Sequence, residues 1–185
     1  MELPILEDRA VRIRPLKRSD APAIAKGIGL RAVSRWLPMV PYPYALGDAQ
    51  TWINYAHRTA RKDLECHFGI ERLDRDGIIG GIGLRNLNRQ DQNAEVGYWI
   101  AKPQWGLGLG SEAVALTLRF AFGALKLHRV YAIVLEANVG SARVLEKNGF
   151  VREGTWRKAS RWGRRWRDVW AYGILREEWR PGDRD

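Results

Sequence analysis

One stretch constrains this chain more than any other: Gln104-Trp-Gly-Leu-Gly-Leu-Gly-Ser-Glu-Ala113. Gly106, Gly108 and Gly110 alternate with bulky residues, and Ser111 and Glu112 then open the apolar run Ala113 to Leu125. The pattern predicts a glycine loop that feeds a helix N-terminus. Such a loop turns backbone N–H groups toward an anion, and glycine admits the anion without a Cβ in its way. A phosphate-bearing ligand is the expected guest.

The rest of the chain restricts which ligand. A length of 185 residues fits one domain, taken here as residues 1–185, with enough chain for a real core. The single cysteine, Cys66, excludes an internal disulfide framework. No basic segment followed by an apolar one opens the chain, and no apolar run approaches the roughly 18 residues of a membrane span, so a cytoplasmic protein with no membrane partner is expected. The net charge of +10 favours an anionic partner.

Read in order, Ala10 to Pro15 alternates as a first strand with Val11 and Ile13 inward, and Ser19-Asp20 caps a helix from Ala21 to about Gly29. Residues 35–46 hold three prolines and several aromatics, an ordered loop suited to lining a pocket, with Trp36 and Tyr42 as candidate substrate contacts. Asp48 is expected to cap the next helix, through about Arg61. Three strands of period two follow, His67–Glu71, Gly77–Leu87 and Ala94–Ile100, the first two joined at Asp76-Gly77. After the glycine loop and its helix, Arg129–Leu135 reads as a central strand buried on both faces. Asn138 opens a helix through Asn148 that Gly149 closes. Strands at 150–156 and 167–175 flank a basic, tryptophan-bearing loop. The fold class is α+β, built around a mixed, mostly antiparallel sheet, and the crossover from 94 to 135 makes its two strands parallel.

Three kinds of glycine loop compete. A nucleotide triphosphatase needs a Lys-[Ser/Thr] that this loop lacks. The dinucleotide fingerprint fits Gly108-x-Gly110-x-x-Ala113, with Glu136 where a ribose-binding acid stands. Those glycines, however, do not follow their strand at once, and about half the chain precedes them. The third reading takes in more residues. Trp105-x-x-Gly108-x-Gly110, then Asn138-x-x-Ser141 and Glu146-Lys-Asn-Gly-Phe150, resembles the GNAT acyl-CoA-dependent N-acetyltransferases. Trp105 at the head of the loop, Glu95-Val-Gly-Tyr-Trp-Ile100, Arg12-Ile-Arg-Pro-Leu16 and Arg152-Glu-Gly-Thr-Trp-Arg-Lys158 are similar to its Rim-type branch (RimJ/RimL), over about residues 10–179.

The resemblance implies an α/β/α sandwich in which the strands at 94–100 and 129–135 splay apart and admit acetyl-CoA. The cofactor contacts it implies are Val96, Tyr98, Trp99, Trp105, Gly106, Leu107, Gly108, Leu109, Gly110, Ser111 and Asn138. An amine would attack the thioester, a strand N–H near Val96 or Gly97 would hold the oxyanion, and the thiolate would leave. Many relatives carry a tyrosine that protonates the thiolate; Leu145 stands at that position, and Ser141 is the substitute the Rim-type branch implies. Glu95 is the candidate base, with Asp168 and Tyr172 on the substrate side. A Ser141 that only hydrogen-bonds locally, an exposed Glu95, and a structural ion pair at Asp168 would account for the same letters. No Cys/His cluster predicts a metal.

The implied acceptor is a primary amine, foremost a protein N-terminal α-amine of the ribosomal-protein type, with polyamines and aminoglycosides as the alternatives. Loop 157–167 carries six positive charges, which would repel a polycation and attract an acidic peptide or rRNA, or simply be solvated. A non-catalytic RNA- or protein-binding module on the same fold is the reading from another class. Monomer and homodimer are both open.

Overall fold

The computed structural model describes residues 1–162 and 165–180. Two short strands, β1 (Leu6–Asp8) and β2 (Val11–Pro15), precede α1 (Ala21–Gly29), the single-turn α2 (Arg31–Ser34) and α3 (Leu46–Arg61). A meander follows, β3 (Cys66–Arg72), β4 (Ile78–Asn88) and β5 (Asn93–Ile100). Helix α4 (Leu109–Arg119) leads through a π-turn at Phe120–Ala124 to β6 (Arg129–Leu135), α5 (Val139–Glu146), β7 (Val151–Trp162) and β8 (Arg165–Leu175). One eight-stranded sheet results, in the order β1-β2-β3-β4-β5-β6-β8-β7, antiparallel except at β5–β6.

The sheet has a core on each face. Phe68, Ile70, Leu84, Val96, Val130, Ala132 and Tyr172 meet α4 and α5 through Ala113, Leu116, Ala142 and Leu145. On the opposite face Leu16, Ile78 and Trp99 meet Ile24 and Ile28 of α1 and Ile53 of α3. Those helices lie mainly over β3 and β4, with α1 reaching the Trp99 ring of β5. The α/β/α layering and the parallel pair are as expected from the sequence. No helix among the described residues is long and apolar enough to cross a membrane.

Several local expectations change. β6 is buried on one face only: Val130, Ala132 and Val134 alternate with half-exposed Tyr131, Ile133 and Leu135, because α1 and α3 do not extend over it. The basic stretch after Trp156 is not a loop. It belongs to β7 and β8, which pair out to Trp162 and Arg165; Gly163 and Arg164 lie outside the described residues, as do residues 181–185. Asp48 is not the cap of α3. Ala45 holds that position, and the Asp48 carboxylate accepts from its N–H at 2.7 Å. Asp20 does precede α1, but its carboxylate accepts from Arg14 and from the N–H of Lys17 rather than from the helix. The helix after the glycine loop starts at Leu109, earlier than the apolar run suggests.

Candidate active site

The parallel pair supplies the cleft. β5 and β6 pair only at Asn93–Arg129, Ala94–Val130 and Glu95–Tyr131. Beyond Glu95 the strands diverge while β5 stays paired with β4 as far as Ile100. Residues 96–100 thus present one backbone edge to a gap, a place where an extended amide-bearing chain can pair.

The glycine loop closes the wide end of the gap. Gly106 and Gly108 have φ of 79° and 78°, left-handed conformations that glycine adopts at little cost, and a Cβ at either would meet nothing within 4 Å. The ground above both is open, and the first turn of α4 lacks intrahelical acceptors for its N–H groups. The cradle therefore fits a pyrophosphate, through backbone N–H of the Leu107–Ser111 segment and the positive end of α4. Gly110 serves packing: its Cβ position lies 3.5 Å from Ile100 and 3.9 Å from Val144, where α4 approaches β5 and α5. Trp105 fixes the loop's head by donating Nε1–H to the Ile100 carbonyl at 2.7 Å. Asn148 fixes its other side by donating to Ser111 Oγ at 3.0 Å.

Ser141 sits in the first turn of α5, below which Asn138 caps the helix by accepting from the Ser141 N–H at 3.2 Å. The Tyr98 phenol reaches across from β5 to within 2.8 Å of Ser141 Oγ and 3.1 Å of its carbonyl. Burial pushes the Tyr98 phenol upward from its ordinary value, outweighing the Ser141 hydrogen bond that pulls it down. Strand parity places Tyr98 on the same face as Val96; only the packing of α5 against β5 brings its hydroxyl to Ser141, so sequence spacing alone could not find this pair.

On the opposite face of β5, Glu95 is buried and its carboxylate accepts from Arg85 and, at 3.1 Å, from Asn86. It is therefore an ion-paired carboxylate, not an exposed one. Neither Arg85 nor Asn86 was picked out by the sequence; Arg85 stands directly across from Glu95 in the β4–β5 register. Trp99 shares this face, but its ring is packed against Gly27 and Gly81 in the α1/α3 core, so only its backbone can meet a ligand in the gap. Tyr172, expected on the substrate side, is buried. Its side chain lies in the α4/α5 core and its phenol donates to Glu146 at 2.9 Å. Asp168 accepts from the Lys158 N–H at 2.7 Å, within the β7–β8 pair, beside a cavity of about 600 Å³ lined by Arg157, Lys158 and Asp168. Trp36 and Tyr42 flank α2, where Arg35 stacks over the Trp36 ring and Arg31 over Tyr42. Cys66 is buried and its thiol is pushed up to about 12 by that burial, which removes it as a nucleophile.

A helix N-terminus open to an anion beside a split parallel pair, with the Ser141 hydroxyl near the split, is the arrangement an acyl-CoA-dependent transferase requires. The chain belongs to the GNAT acetyltransferases: residues 10–151 match the Acetyltransferase (GNAT) domain. It is 35% identical over 179 residues to "Probable N-acetyltransferase YjcK" of Bacillus subtilis, covering 92% of this chain and 97% of that protein. It is 29% identical over 117 residues to the [Ribosomal protein uS5]-alanine N-acetyltransferase of Escherichia coli, covering 63% and 60%. Mycobacterium smegmatis RimJ, solved in complex with CoA-disulfide, superposes with a TM-score of 0.86 at 27% identity, over 94% of this chain and 88% of that one. The likeness to the Rim-type branch thus extends to structure. The protein is an N-acetyltransferase, and acetyl-CoA is its acyl donor.

Proposed function

We propose that this enzyme acetylates the α-amine of a protein or peptide N-terminus, of the ribosomal-protein type. The observation that carries the reading is the state of Glu95. The carboxylate nearest the fork of β5 and β6 is ion-paired with Arg85 and accepts from Asn86, so it is not free to hold a second ammonium group. A polyamine or aminoglycoside needs such an acid, and the net charge of +10 repels it at a distance. A free α-amine, with a pKa near 8, costs only about 1.4 kcal/mol to deprotonate at pH 7, against about 4.6 kcal/mol for a lysine. The uS5-alanine acetyltransferase among the relatives supports the same acceptor class.

In this reading pyrophosphate rests on the loop from Gly106 to Ser111 and the pantetheine arm pairs with β5 from Val96 onward. The amine attacks the thioester carbonyl, a β5 N–H near Val96 or Gly97 holds the oxyanion, and the Ser141 hydroxyl donates to the departing thiolate. A thiolate with a pKa near 8.5 needs no stronger acid than a hydrogen-bond donor. The acceptor loop includes Trp36 and Tyr42, and the compartment is cytoplasmic.

The test is an acceptor panel: alanine- and serine-starting peptides, spermidine and an aminoglycoside, with thiol release from acetyl-CoA as the readout. Peptides should exceed the polycations by at least tenfold in kcat/KM. Preferred turnover of spermidine or the aminoglycoside overturns the α-amine reading.

A further inference from the structure

The α1/α3 face of the sheet holds a dyad that the reaction above does not use. Glu65 and His67 stand two residues apart at the start of β3, and His67 Nε2 lies 2.7 Å from Glu65 Oε2. Both side chains are largely buried, at 12% and 15% exposure. Burial works to raise the Glu65 carboxyl, but the hydrogen bond and attraction of His67, with Tyr55 and Arg85, bring it below its ordinary value. An ionised Glu65 takes the Nε2 hydrogen, which fixes the tautomer and leaves Nδ1 as a bare acceptor. No hydrogen bond to Nδ1 is formed by any described residue. Trp52 packs edge-on to the ring, with centroids 5.8 Å apart, and Tyr55 tilts against it.

The ring points along the sheet toward β5. His67 pairs with Gly83 of β4, and Gly83 pairs with Gly97 of β5. A Cβ on Gly83 would lie 2.5 Å from His67 Nδ1, so the imidazole occupies the space above that glycine. A Cβ on Gly97 would meet only Arg85, at 3.9 Å and beyond. Neighbouring strands lie about 4.8 Å apart. Nδ1 is therefore about one strand spacing from the ground over Gly97, where the Arg85 guanidinium lies at van der Waals distance, and that gap has the length of a single bridging water. Glu95, the other candidate base, is held by Arg85 and Asn86.

We propose that His67, oriented by Glu65, is the general base that takes the acceptor amine's proton through a bridging water over Gly97. The nitrogen lone pair forms the N–C bond, one ammonium proton passes by way of the water to Nδ1, and the C–S bond breaks to release the thiolate held by Ser141. The imidazolium then returns its proton to solvent. The charged and titratable groups around the dyad are Tyr55 and Arg58 of α3, Arg85 of β4 and Glu95 of β5. An imidazole suits this task because one ring nitrogen can accept a proton while the other donates to Glu65.

This inference rests on amine acetylation by this cleft and not on which amine is used, so it is tested with whichever acceptor the wild type turns over fastest. A general base accounts for roughly 10²-fold of rate or more. His67→Gln should lower kcat about 100-fold, leave the KM for acetyl-CoA within twofold, and abolish the low-pH limb of kcat in the histidine range. Imidazole in the buffer should restore part of the activity of His67→Ala. Glu65→Gln, which keeps the ring in place, should shift that limb to lower pH, because the imidazolium loses its carboxylate partner. A His67→Gln enzyme within threefold of wild-type kcat, or one that keeps the limb, overturns the proposal. If the His67 variants do not fold, an unmoved limb in Glu65→Gln overturns it equally.

Discussion

The phenolic oxygen of Tyr98 lies 2.8 Å from the hydroxyl of Ser141, joining the splayed strand β5 to the first turn of α5. The contact gives Ser141 a defined orientation. When the phenol donates, the serine's own hydrogen is left for another acceptor, which in the proposed reaction is the thiolate. Burial keeps the phenol protonated well beyond physiological pH, so it can donate throughout the working range.

Removing the two hydroxyls one at a time should separate their parts. Ser141→Ala loses the donor to sulfur, and kcat should fall about 100-fold, the scale of one lost transition-state donor. Tyr98→Phe leaves that donor in place but unoriented, and should cost about tenfold, close to the 1.4 kcal/mol of one hydrogen bond. Because Tyr98 acts through Ser141, the double variant should be no slower than Ser141→Ala alone. Steady-state kinetics on the three variants checks this; additive losses would show that Tyr98 works independently.

Gly108 carries a left-handed φ of 78° with nothing within 4 Å of its Cβ position. Gly108→Ala therefore meets no protein atom, yet it pays about 1–2 kcal/mol of backbone strain and puts a methyl into the ground meant for pyrophosphate. Affinity for CoA should drop tenfold or more by calorimetry. Acetyl-pantetheine, which has no pyrophosphate, should be used by the variant as well as by the wild type. Gly123, also with an unobstructed Cβ position but in the π-turn after α4, is the control: Gly123→Ala should leave CoA binding unchanged.

Much of this was legible in the letters, for reasons that differ by element. The glycine loop and the strand-helix-strand crossover were readable because each depends on local spacing: alternating glycines, period-two strands and an Asn-x-x-Ser helix start. The resemblance of order and motifs carried the family. What failed depended on contacts between distant segments. Tyr172 has the alternation of a strand residue, but which face a helix covers is decided by packing, and α5 covers the face of Tyr172. β6 is apolar along its length and still half-exposed on one side, because α1 and α3 do not extend over it. The Tyr98–Ser141 and Glu65–His67 pairs differ instructively. The first joins residues 43 apart and needs the fold, whereas the second was within reach of the sequence, since i and i+2 share a strand face.

Gly27 shows packing overriding propensity. It lies inside α1, where alanine would gain about 1 kcal/mol of helix propensity. Its Cβ, however, would lie 2.6 Å from Trp99 Cζ3 and 3.0 Å from Cη2, on a ring that is 8% exposed and has nowhere to go. Overpacking costs about 1–3 kcal/mol and should win, so Gly27→Ala should lower the urea midpoint. In a Trp99→Leu background the clash is gone, and the same substitution should turn stabilising. A midpoint that rises in the wild-type background would show that α1 can shift away from β5.

Arg14 and Asp20 form a buried pair at 2.8 Å through two parallel hydrogen bonds, with Arg14 also bonding Glu71 and Asp20 accepting from the Lys17 N–H. The pair ties β2 and β3 to the start of α1, the helix that covers Trp99. Burial is the largest influence on the Asp20 carboxyl and pushes it up, but the Arg14 and Lys17 hydrogen bonds and attractions together hold it below its ordinary value. A carboxyl depressed in the folded state stabilises the fold above its unfolded value, near 3.9, and loses that contribution as pH falls through the lower folded value. Asp20→Ala removes two charge-assisted hydrogen bonds and leaves the buried Arg14 guanidinium with Glu71 as its ionic partner, and should cost about 3 kcal/mol at pH 7. At about 2–4 °C per kcal/mol for a chain of this size, Tm should fall by about 10 °C. Asp20→Asn keeps the shape and removes the charge. Its Tm deficit should be full at pH 7 and shrink as pH is lowered below 4, where the wild-type carboxyl also becomes neutral. A deficit that stays constant down to pH 2.5 would assign the loss to shape rather than to the ion pair.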